Sequence, residues 1–187
     1  MVLLRALEPA DAAVIASWID DQEALVLWSG KTGFTWPFDA GQLLALREPG
    51  RRLLAAVDPA VDPAVDPAVD PAVDRAADPA GAVIGHVSLR DQDDHSVRLG
   101  LVLVAPSARG KGHGAALVGA ALATAFAGPG VTRVTLGVYA HNAGARRLYE
   151  RFGFEEERVY ERSIEVGGQW WTSVTMGLTR EAWRAGR

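Results

Sequence analysis

The residues in this sequence that are best suited to chemistry form a short basic run rich in glycine. Residues 109–114 read Arg-Gly-Lys-Gly-His-Gly and follow an apolar stretch, residues 99–104, after a break at Pro106. Glycines let a backbone turn tightly with open amides, and a helix N-terminus adds about half a positive charge. Apolar residues recur at helical spacing from Ala115, so the pattern predicts a strand, a glycine turn and a helix beginning near Gly112. Such a turn is suited to binding an anion.

The distribution of charge also favours an anionic partner here. Between His95 and Tyr149 there is no Asp or Glu but six basic residues, which leaves 13 of the 19 basic residues with all 23 acidic ones elsewhere. A segment of charge +6 within a protein of net charge −4 favours phosphates at this place. The acidic balance of the whole chain argues against nucleic acid as a general partner.

Two common phosphate-binding motifs were compared with this run. A P-loop needs Ser or Thr directly after its lysine, but Lys111 is followed by Gly112. The dinucleotide fingerprint in its relaxed form fits Gly110, Gly112 and Ala115. Its ribose-binding carboxylate, due about 20 residues later, is missing, because the next acid is Glu150. A Rossmann-like nucleotide-binding domain therefore remains an alternative.

The same run resembles a signature of one enzyme family. Arg109, Gly112 and Gly114 match the pattern R/Q-x-x-G-x-G/A, which is similar to the acyl-CoA signature of the GNAT superfamily of N-acetyltransferases. Residues 142–154 follow the next predicted strand and look like the second signature of that superfamily, N-x-x-A/S-x-x-x-Y-x-x-x-G-F. The resemblance implies acetyl-CoA as co-substrate and direct transfer of its acetyl group to a primary amine of a small molecule or a protein N-terminus.

The resemblance also implies roles for individual residues. The residues implied to bind the cofactor are Val102, Leu103, Val104, Arg109, Gly110, Lys111, Gly112, His113, Gly114, Ala115 and Asn142. The backbone of the first three would pair with pantetheine between two splayed parallel strands, and the turn amides would hold the diphosphate. Asn142 would also cap its helix. Tyr149 would act as general acid, with an ordinary core tyrosine as the alternative, and no metal site is expected.

The general base is not supplied by the resemblance. The positions at which relatives in this superfamily have Glu are occupied by Gly137 and Arg98. Three other candidates remain, His95, Asp21 and Glu23, together with a water chain that has no single base. The missing carboxylate leaves open a non-catalytic acyl-CoA-binding sensor. Acids on the N-terminal helices, which the resemblance places beside the acceptor, would favour a cationic amine.

The elements that would position these residues follow from the hydrophobic pattern. Strands are predicted at residues 2–6, 53–57, 82–89, 99–104, 131–138, 159–166 and 169–178. Helices are predicted after Pro9, at residues 39–47, from Ala115 and after Asn142, with residues 20–38 irregular and 179–187 a short helix or loose tail. This order is also the order of the GNAT fold. It implies an α/β, or mixed α+β, sheet with one splayed parallel pair, flanked by about four helices.

A four-residue repeat interrupts this pattern. Val-Asp-Pro-Ala recurs from Val57 to Ala72, and two degenerate copies follow. A proline at every fourth residue prevents a continuous helix and removes sheet donors. We therefore expect residues 58–81 to be an extended or disordered insertion in a hairpin loop of a single domain, residues 1–187.

Composition limits the class of protein further. The 187 residues include no cysteine, which excludes disulfides, cysteine metal sites and thiol catalysis. The N-terminal apolar run is too short for a signal peptide, and no 18 apolar residues occur in succession, so we expect a cytoplasmic monomer or homodimer with no membrane partner. The opening Leu4-Arg5, Trp18 and residues 28–38 and 171–178 look most like the ribosomal-protein-alanine and aminoglycoside acetyltransferases within the superfamily.

Overall fold

The computed structural model describes residues 2–59, 81–92 and 95–186. Its strands are β1 Leu3–Ala6, β2 Arg51–Asp58, β3 Ala82–Gln92, β4 Ser96–Val104, β5 Arg133–Tyr139, β6 Glu155–Val166 and β7 Gln169–Thr179. They form one sheet in the order β1-β2-β3-β4-β5-β7-β6. Within the described chain only β4 and β5 pair in parallel. The predicted mixed sheet with one parallel pair is confirmed, and nothing in this sheet favours the Rossmann-like alternative.

The helices differ in number from the prediction. They are α1 Pro9–Ala16, α2 Gln22–Ser29, α3 Ala40–Leu44, α4 His113–Ala127, α5 Ala143–Arg151 and α6 Arg180–Ala185. The region predicted to be irregular, residues 20–38, contains α2. Asp21 begins this helix by accepting a hydrogen bond from the amide of Ala24 at 2.7 Å, and Gly30 ends it at φ +61°. An eight-residue helix thus fits before the glycines and proline that suggested a loop.

The sheet separates two apolar layers. On β2, Leu53 and Ala55 pack on one side with α1, α2 and α3, while Leu54 and Ala56 pack on the other side with α4, α5 and α6. We call these the α1 layer and the α4 layer. The strand residues of the α1-layer cluster come from β2, β3 and β4. The opposite cluster includes residues of β5 and β7 as well. The α1 layer therefore covers only part of its face of the sheet.

Strand β4 contains a bulge near its middle. Leu101 has a φ of +51°, and two residues of β4 oppose one residue of β3 between the pairs Ser88↔Gly100 and His86↔Leu103. Leu99 packs in the α4 layer, but Leu101 and Leu103 pack in the α1 layer. A β-bulge bends its strand and increases the local twist. The bulge therefore changes the direction of β4 just before the glycine turn.

The repeat insertion leaves and re-enters the sheet at one point. Asp58 pairs with Ala82 at the end of the β2–β3 ladder and is 5% exposed. Its carboxylate lies 3.3 Å from Nε2 of His113. Asp58 thus belongs to the folded domain, which corrects the predicted start of the insertion at residue 58. The repeat at 60–80 and the predicted turn residues 93 and 94 lie outside the described residues.

Candidate functional site

A gap opens between the two parallel strands. β4 and β5 are paired from Ser96↔Arg133 to Arg98↔Thr135, three residue pairs in all. Past Arg98, β4 keeps its ladder with β3, and past Thr135, β5 keeps its ladder with β7. The facing edges of β4 and β5 have no ladder to each other over the rest of their described length. We call this wedge the β4–β5 gap; it is closed at Arg98 and open at Val104.

The glycine turn lies at the open end of the gap. Gly110 and Gly112 have φ values of +75° and +84°, in the region that favours glycine. The first amides of any helix lack intrahelical partners, and the N-cap of α4, Gly112, supplies no side-chain cap for them. A Cβ placed on Gly110 or Gly112 would meet no atom within 4 Å. The turn thus presents free backbone donors to open space, which fits a diphosphate.

The charged residues of the turn are held differently. Nε of Arg109 donates a hydrogen bond to the Val104 carbonyl at 3.2 Å, which fixes its guanidinium at the end of β4. Lys111 is exposed. The His113 ring has one nitrogen 3.1 Å from the Ala108 carbonyl and the other 3.3 Å from Asp58. Its imidazole is therefore engaged with the domain, and binding of the cofactor by His113 stays a prediction for its backbone amide.

The helix after β5 begins where the sequence predicts. The Asn142 side chain accepts a hydrogen bond from the Ala145 amide at 3.2 Å, and its own amide donates to the Tyr139 carbonyl at 2.9 Å. The N-cap role of Asn142 is confirmed. On the opposite wall of the gap, Val102 and Val104 pack towards the α4 layer and Leu103 towards the α1 layer. Contact of these residues with a cofactor stays a prediction.

Tyr149 lies in α5 within the α4 layer. It is 7% exposed, and its ring meets that of Phe154 edge to face, with the centroids 5.8 Å apart. Burial raises the pKa of Tyr149 to about 12. The hydroxyl therefore keeps its proton at neutral pH, as a general acid must. The burial also fits an ordinary core residue, so the catalytic role stays a prediction.

The two positions without the expected carboxylate lie side by side. A Cβ on Gly137 would lie 2.7 Å from Nη2 of Arg98. Burial lowers the pKa of Arg98, and the positive charge of Arg90 also lowers it, whereas the interaction with Tyr160 raises it. Among the described residues no carboxylate forms an ion pair with Arg98. The closed end of the gap thus has a cation at a place where the resemblance gives relatives a glutamate.

The three remaining base candidates lie in two places, His95 directly before β4 and the other two at the start of α2. Nδ1 of His95 lies 3.2 Å from the position that a Cβ on Gly130 would take. His95 directly precedes β4 at the end where β4 is paired with β5, so it does not border the gap. The carboxylate of Asp21 is occupied as the cap of α2. Glu23 is exposed in the first turn of the same helix, which packs against β4.

Three aromatic contacts, in two parts of the molecule, were not predicted. Trp171 meets Tyr139 and His141 edge to face, at centroid distances of 5.0 and 4.5 Å. This cluster lies where β5 ends at the open side of the gap, and burial raises the pKa of Tyr139. In the α1 layer, the ring of Trp28 lies 6.1 Å from that of His86. The only sequence signal for either was the aromatic residue type, because the contacts join distant parts of the chain.

His86 is fully buried on β3. Its Nδ1 lies 2.9 Å from the Leu54 carbonyl, and its Nε2 has no protein partner. Burial lowers its pKa from 6.5 to about 4, against the raising effects of that carbonyl and of Asp11. The imidazole is therefore neutral at pH 7.

The part of the chain that the structure describes has neither a cluster of metal ligands nor a membrane-spanning helix. No group of three or more His, Asp or Glu side chains there is placed to ligate a metal ion. No helix in the same residues has the length and apolar character needed to cross a bilayer.

Comparison with known proteins gave consistent matches. The model of the acetyltransferase (GNAT) family matches residues 42–154. Uncharacterized N-acetyltransferases of Mycobacterium tuberculosis strain H37Rv and Mycobacterium bovis are 40% identical over 75 residues, which is 40% of this chain and 47% of each relative. The chain thus matches about half the length of these curated relatives.

One solved structure extends the likeness to nearly the whole chain. It is the spermidine N-acetyltransferase from Vibrio cholerae in complex with CoA and spermine. It superposes with a TM-score of 0.73 at 21% identity, covering 98% of both chains. At this level of identity the likeness concerns the fold.

Proposed function

This chain belongs to the acetyltransferase (GNAT) family, and on that basis we propose that it transfers the acetyl group of acetyl-CoA to a primary amine. One observation supports this most strongly. The β4–β5 ladder stops at Arg98↔Thr135, and the gap beyond it opens onto the free amides of the turn at Gly110 and Gly112. Unpaired strand edges and free turn amides are what an amide-containing arm and a diphosphate need.

Each group of residues has a separate task in this proposal. The amides from Gly110 to Ala115 hold the diphosphate, and Arg109 and Lys111 add positive charge. The backbone of residues 102–104 pairs with pantetheine amides along the gap. Acetyl-CoA, when bound, supplies the acetyl group as a thioester whose C–S bond breaks as the amine forms its C–N bond. Oη of Tyr149 holds the proton that the departing sulfur takes up.

No side chain is assigned as the general base. Gly137 has no side chain, and Arg98 cannot accept a proton under ordinary conditions. The amine then loses its proton to water, either before attack or along a water chain. This assignment predicts that the rate follows the ionisation of the acceptor amine rather than that of a carboxylate.

The experiment has a binding step and a turnover step. Thermal unfolding is measured with CoA, acetyl-CoA, NAD and ATP, since a ligand at 100 times its Kd adds about 2.7 kcal/mol of stability. We expect stabilisation by CoA and acetyl-CoA only. Release of free thiol from acetyl-CoA is then measured with a panel of amines. Stabilisation by CoA without thiol release for any amine would instead indicate the non-catalytic sensor.

We extend the proposal to five finer points. The acceptor is a small molecule, as in the relative solved with spermine, although a peptide amine has the same reactive group. The single sheet from β1 to β7 supports one domain over residues 1–187. The resemblance of Trp18 and of residues 28–38 supports the ribosomal-protein-alanine and aminoglycoside branch. Location in the cytoplasm and a monomeric or homodimeric state remain proposals, which cell fractionation and sedimentation analysis would test.

A further inference from the structure

Arg98 is a half-buried arginine without an ion-pair partner among the described residues. One end of its guanidinium lies across Gly137, with Nη2 at 2.7 Å from the position a Cβ would take. Gly137 itself is exposed, so a ligand from solvent can reach this place. Removing a cation from water without pairing it is costly. A charged group with donors to spare therefore lies at the closed end of the gap.

The surroundings of Arg98 are also positively charged. Arg90 is its direct partner in the antiparallel register of β3 and β4, and like charges directly opposite each other are destabilising. Nε of Arg90 lies 3.3 Å from Glu48, but that carboxylate also pairs with Arg51. Glu157 on β6 is paired with Arg133. The carboxylates seen near this end of the sheet are thus already engaged with other cations.

Among the residues that the structure describes, no part of the α1 layer covers the sheet surface beside Arg98. Gly137 on β5 is in register with Thr175 on β7, which is in register with Arg158 on β6. The α1-layer cluster takes no residue from these three strands. We call this row, together with Arg98, the open face. Nη1 of Arg158 lies 3.4 Å from Oη of Tyr160, so the far end of the row carries a second cation and a hydroxyl.

We propose that Arg98 binds an anionic group of the acceptor, and that the preferred acceptors are amines that also carry a carboxylate, such as α-amino acids. This inference rests on the proposed acetyl transfer, because it concerns the second substrate of that reaction. Arg98 is in the last pair of the β4–β5 ladder, so it borders the gap. An acceptor that lies on the open face can therefore contact Arg98 while its amine is at the gap. The planar guanidinium matches a carboxylate with two parallel hydrogen bonds, which an ammonium cannot do.

This assignment opposes the expectation from the acids of the N-terminal helices. Asp20, Asp21 and Glu23 would favour a cationic amine, and the relative solved with spermine binds a polyamine. A polyamine offers Arg98 no anionic group and is repelled by it. The two expectations therefore predict opposite rankings for polyamines and amino acids.

The test compares matched acceptors. Thiol release from acetyl-CoA is measured for a panel of α-amino acids, each with the amine that lacks only the carboxylate, and for spermine. We expect kcat/KM to be at least tenfold higher for the amino acids, with the difference mainly in KM, because a charge-assisted pair is worth a factor of roughly 10 to 100. In Arg98→Met this ratio, after correction for the fraction of each amine that is unprotonated at the assay pH, should fall towards one. In Arg98→Lys, which keeps the charge without the fork, part of the ratio should return.

A matched control removes one positive charge elsewhere. Arg52 pairs with Asp91 on the surface at 3.3 Å, and Arg52→Met should keep the wild-type preference. Circular dichroism checks that each variant is folded. Should Arg98→Met fail to fold, the preference of the wild type and of Arg98→Lys decides the question.

A binding measurement separates this inference from the proposed function. With CoA present, N-acetyl amino acids should raise the melting temperature of the wild type and of Arg52→Met more than that of Arg98→Met. If this holds but no amine is acetylated, the proposed function fails and the role of Arg98 stands. If amines are acetylated with no carboxylate preference, the role of Arg98 is overturned and acetyl transfer stands. Preference for succinyl-CoA over acetyl-CoA that depends on Arg98 would also overturn it, because the carboxylate would then belong to the acyl donor.

Discussion

The glycine turn can be tested with two neighbouring alanine substitutions of opposite expected effect. Gly112 has a φ of +84° and open space where a Cβ would stand. In Gly112→Ala the methyl group costs about 1–2 kcal/mol in left-handed strain, which lowers the melting temperature by roughly 2–8 °C in a chain of this size. The same methyl group would occupy part of the open space at the turn that we assign to the diphosphate. We expect at least tenfold weaker binding of CoA, since one charge-assisted hydrogen bond is worth about 1.5–3 kcal/mol.

Gly114, two residues after Gly112 and in the first turn of α4, provides the matched control. It lies within α4 outside the left-handed region, and a Cβ there would meet Leu148 at 3.7 Å and Val104 at 3.9 Å, both ordinary contacts. Gly114→Ala removes the conformational freedom of a helical glycine and should stabilise the protein by up to about 1 kcal/mol. The signature itself allows Gly or Ala at this position. CoA affinity should therefore stay within about threefold of the wild type.

Thermal unfolding with and without CoA measures both effects in one assay. At a CoA concentration of 100 times the wild-type Kd, the ligand adds about 2.7 kcal/mol to the wild type. A tenfold weaker Kd reduces this increment to about 1.4 kcal/mol. Titration calorimetry supplies the affinities directly. Wild-type CoA affinity in Gly112→Ala, or a larger loss of affinity in Gly114→Ala, would refute the assignment of the turn as the diphosphate site.

Three further predictions concern other parts of the molecule. Tyr149→Phe should lower kcat by roughly tenfold or more with unchanged CoA affinity. Because the pKa of Tyr149 is about 12, the wild-type rate should show no loss from this group as pH rises through 10. An unchanged kcat in Tyr149→Phe would show that Tyr149 is only a core residue. The folded pKa of His86 lies below its unfolded value, so the stability it contributes is complete above pH 6.5 and is lost as pH falls towards 4, by about 2 kcal/mol at pH 5. Urea titrations of His86→Asn at pH 7 and 5 should lack this loss, and equal losses in both proteins would contradict the assignment. Replacing residues 59–80 by a short turn, with Asp58 kept for its contact with His113, should leave kcat/KM within about threefold, whereas a tenfold fall would show that the repeat contributes to catalysis.

The parts of the site that could be predicted depend on local signals. Gly112 has a left-handed backbone, and Asn142 caps the helix that begins at Ala143. Both roles follow from a few neighbouring residues. The strand, turn and helix around residues 99–127 follow from hydrophobic period and glycine placement in the same way. Such features need no knowledge of the rest of the fold.

The parts that could not be predicted depend on distant residues. The bulge at Leu101 requires the register against β3, and no residue type at that position signals a positive φ. The guanidinium of Arg98 lies across Gly137, and these two residues are 39 positions apart in the sequence and on different strands. The contact of Asp58 with His113 likewise joins β2 to α4. Helix α2 is the exception, because its cap Asp21 and its final Gly30 were visible in the sequence but were outweighed by nearby loop-forming residues.

The pairing of Asp58 with Ala82 has a consequence for how this protein can vary between genomes. Asp58 and Ala82 are paired with each other in one hairpin, so gain or loss of whole four-residue units between them would leave this register unchanged. Units of this kind are copied unequally whenever a repetitive coding sequence slips during replication. We therefore expect the copy number to drift as a length polymorphism among close variants, while the residues that flank the tract stay constant.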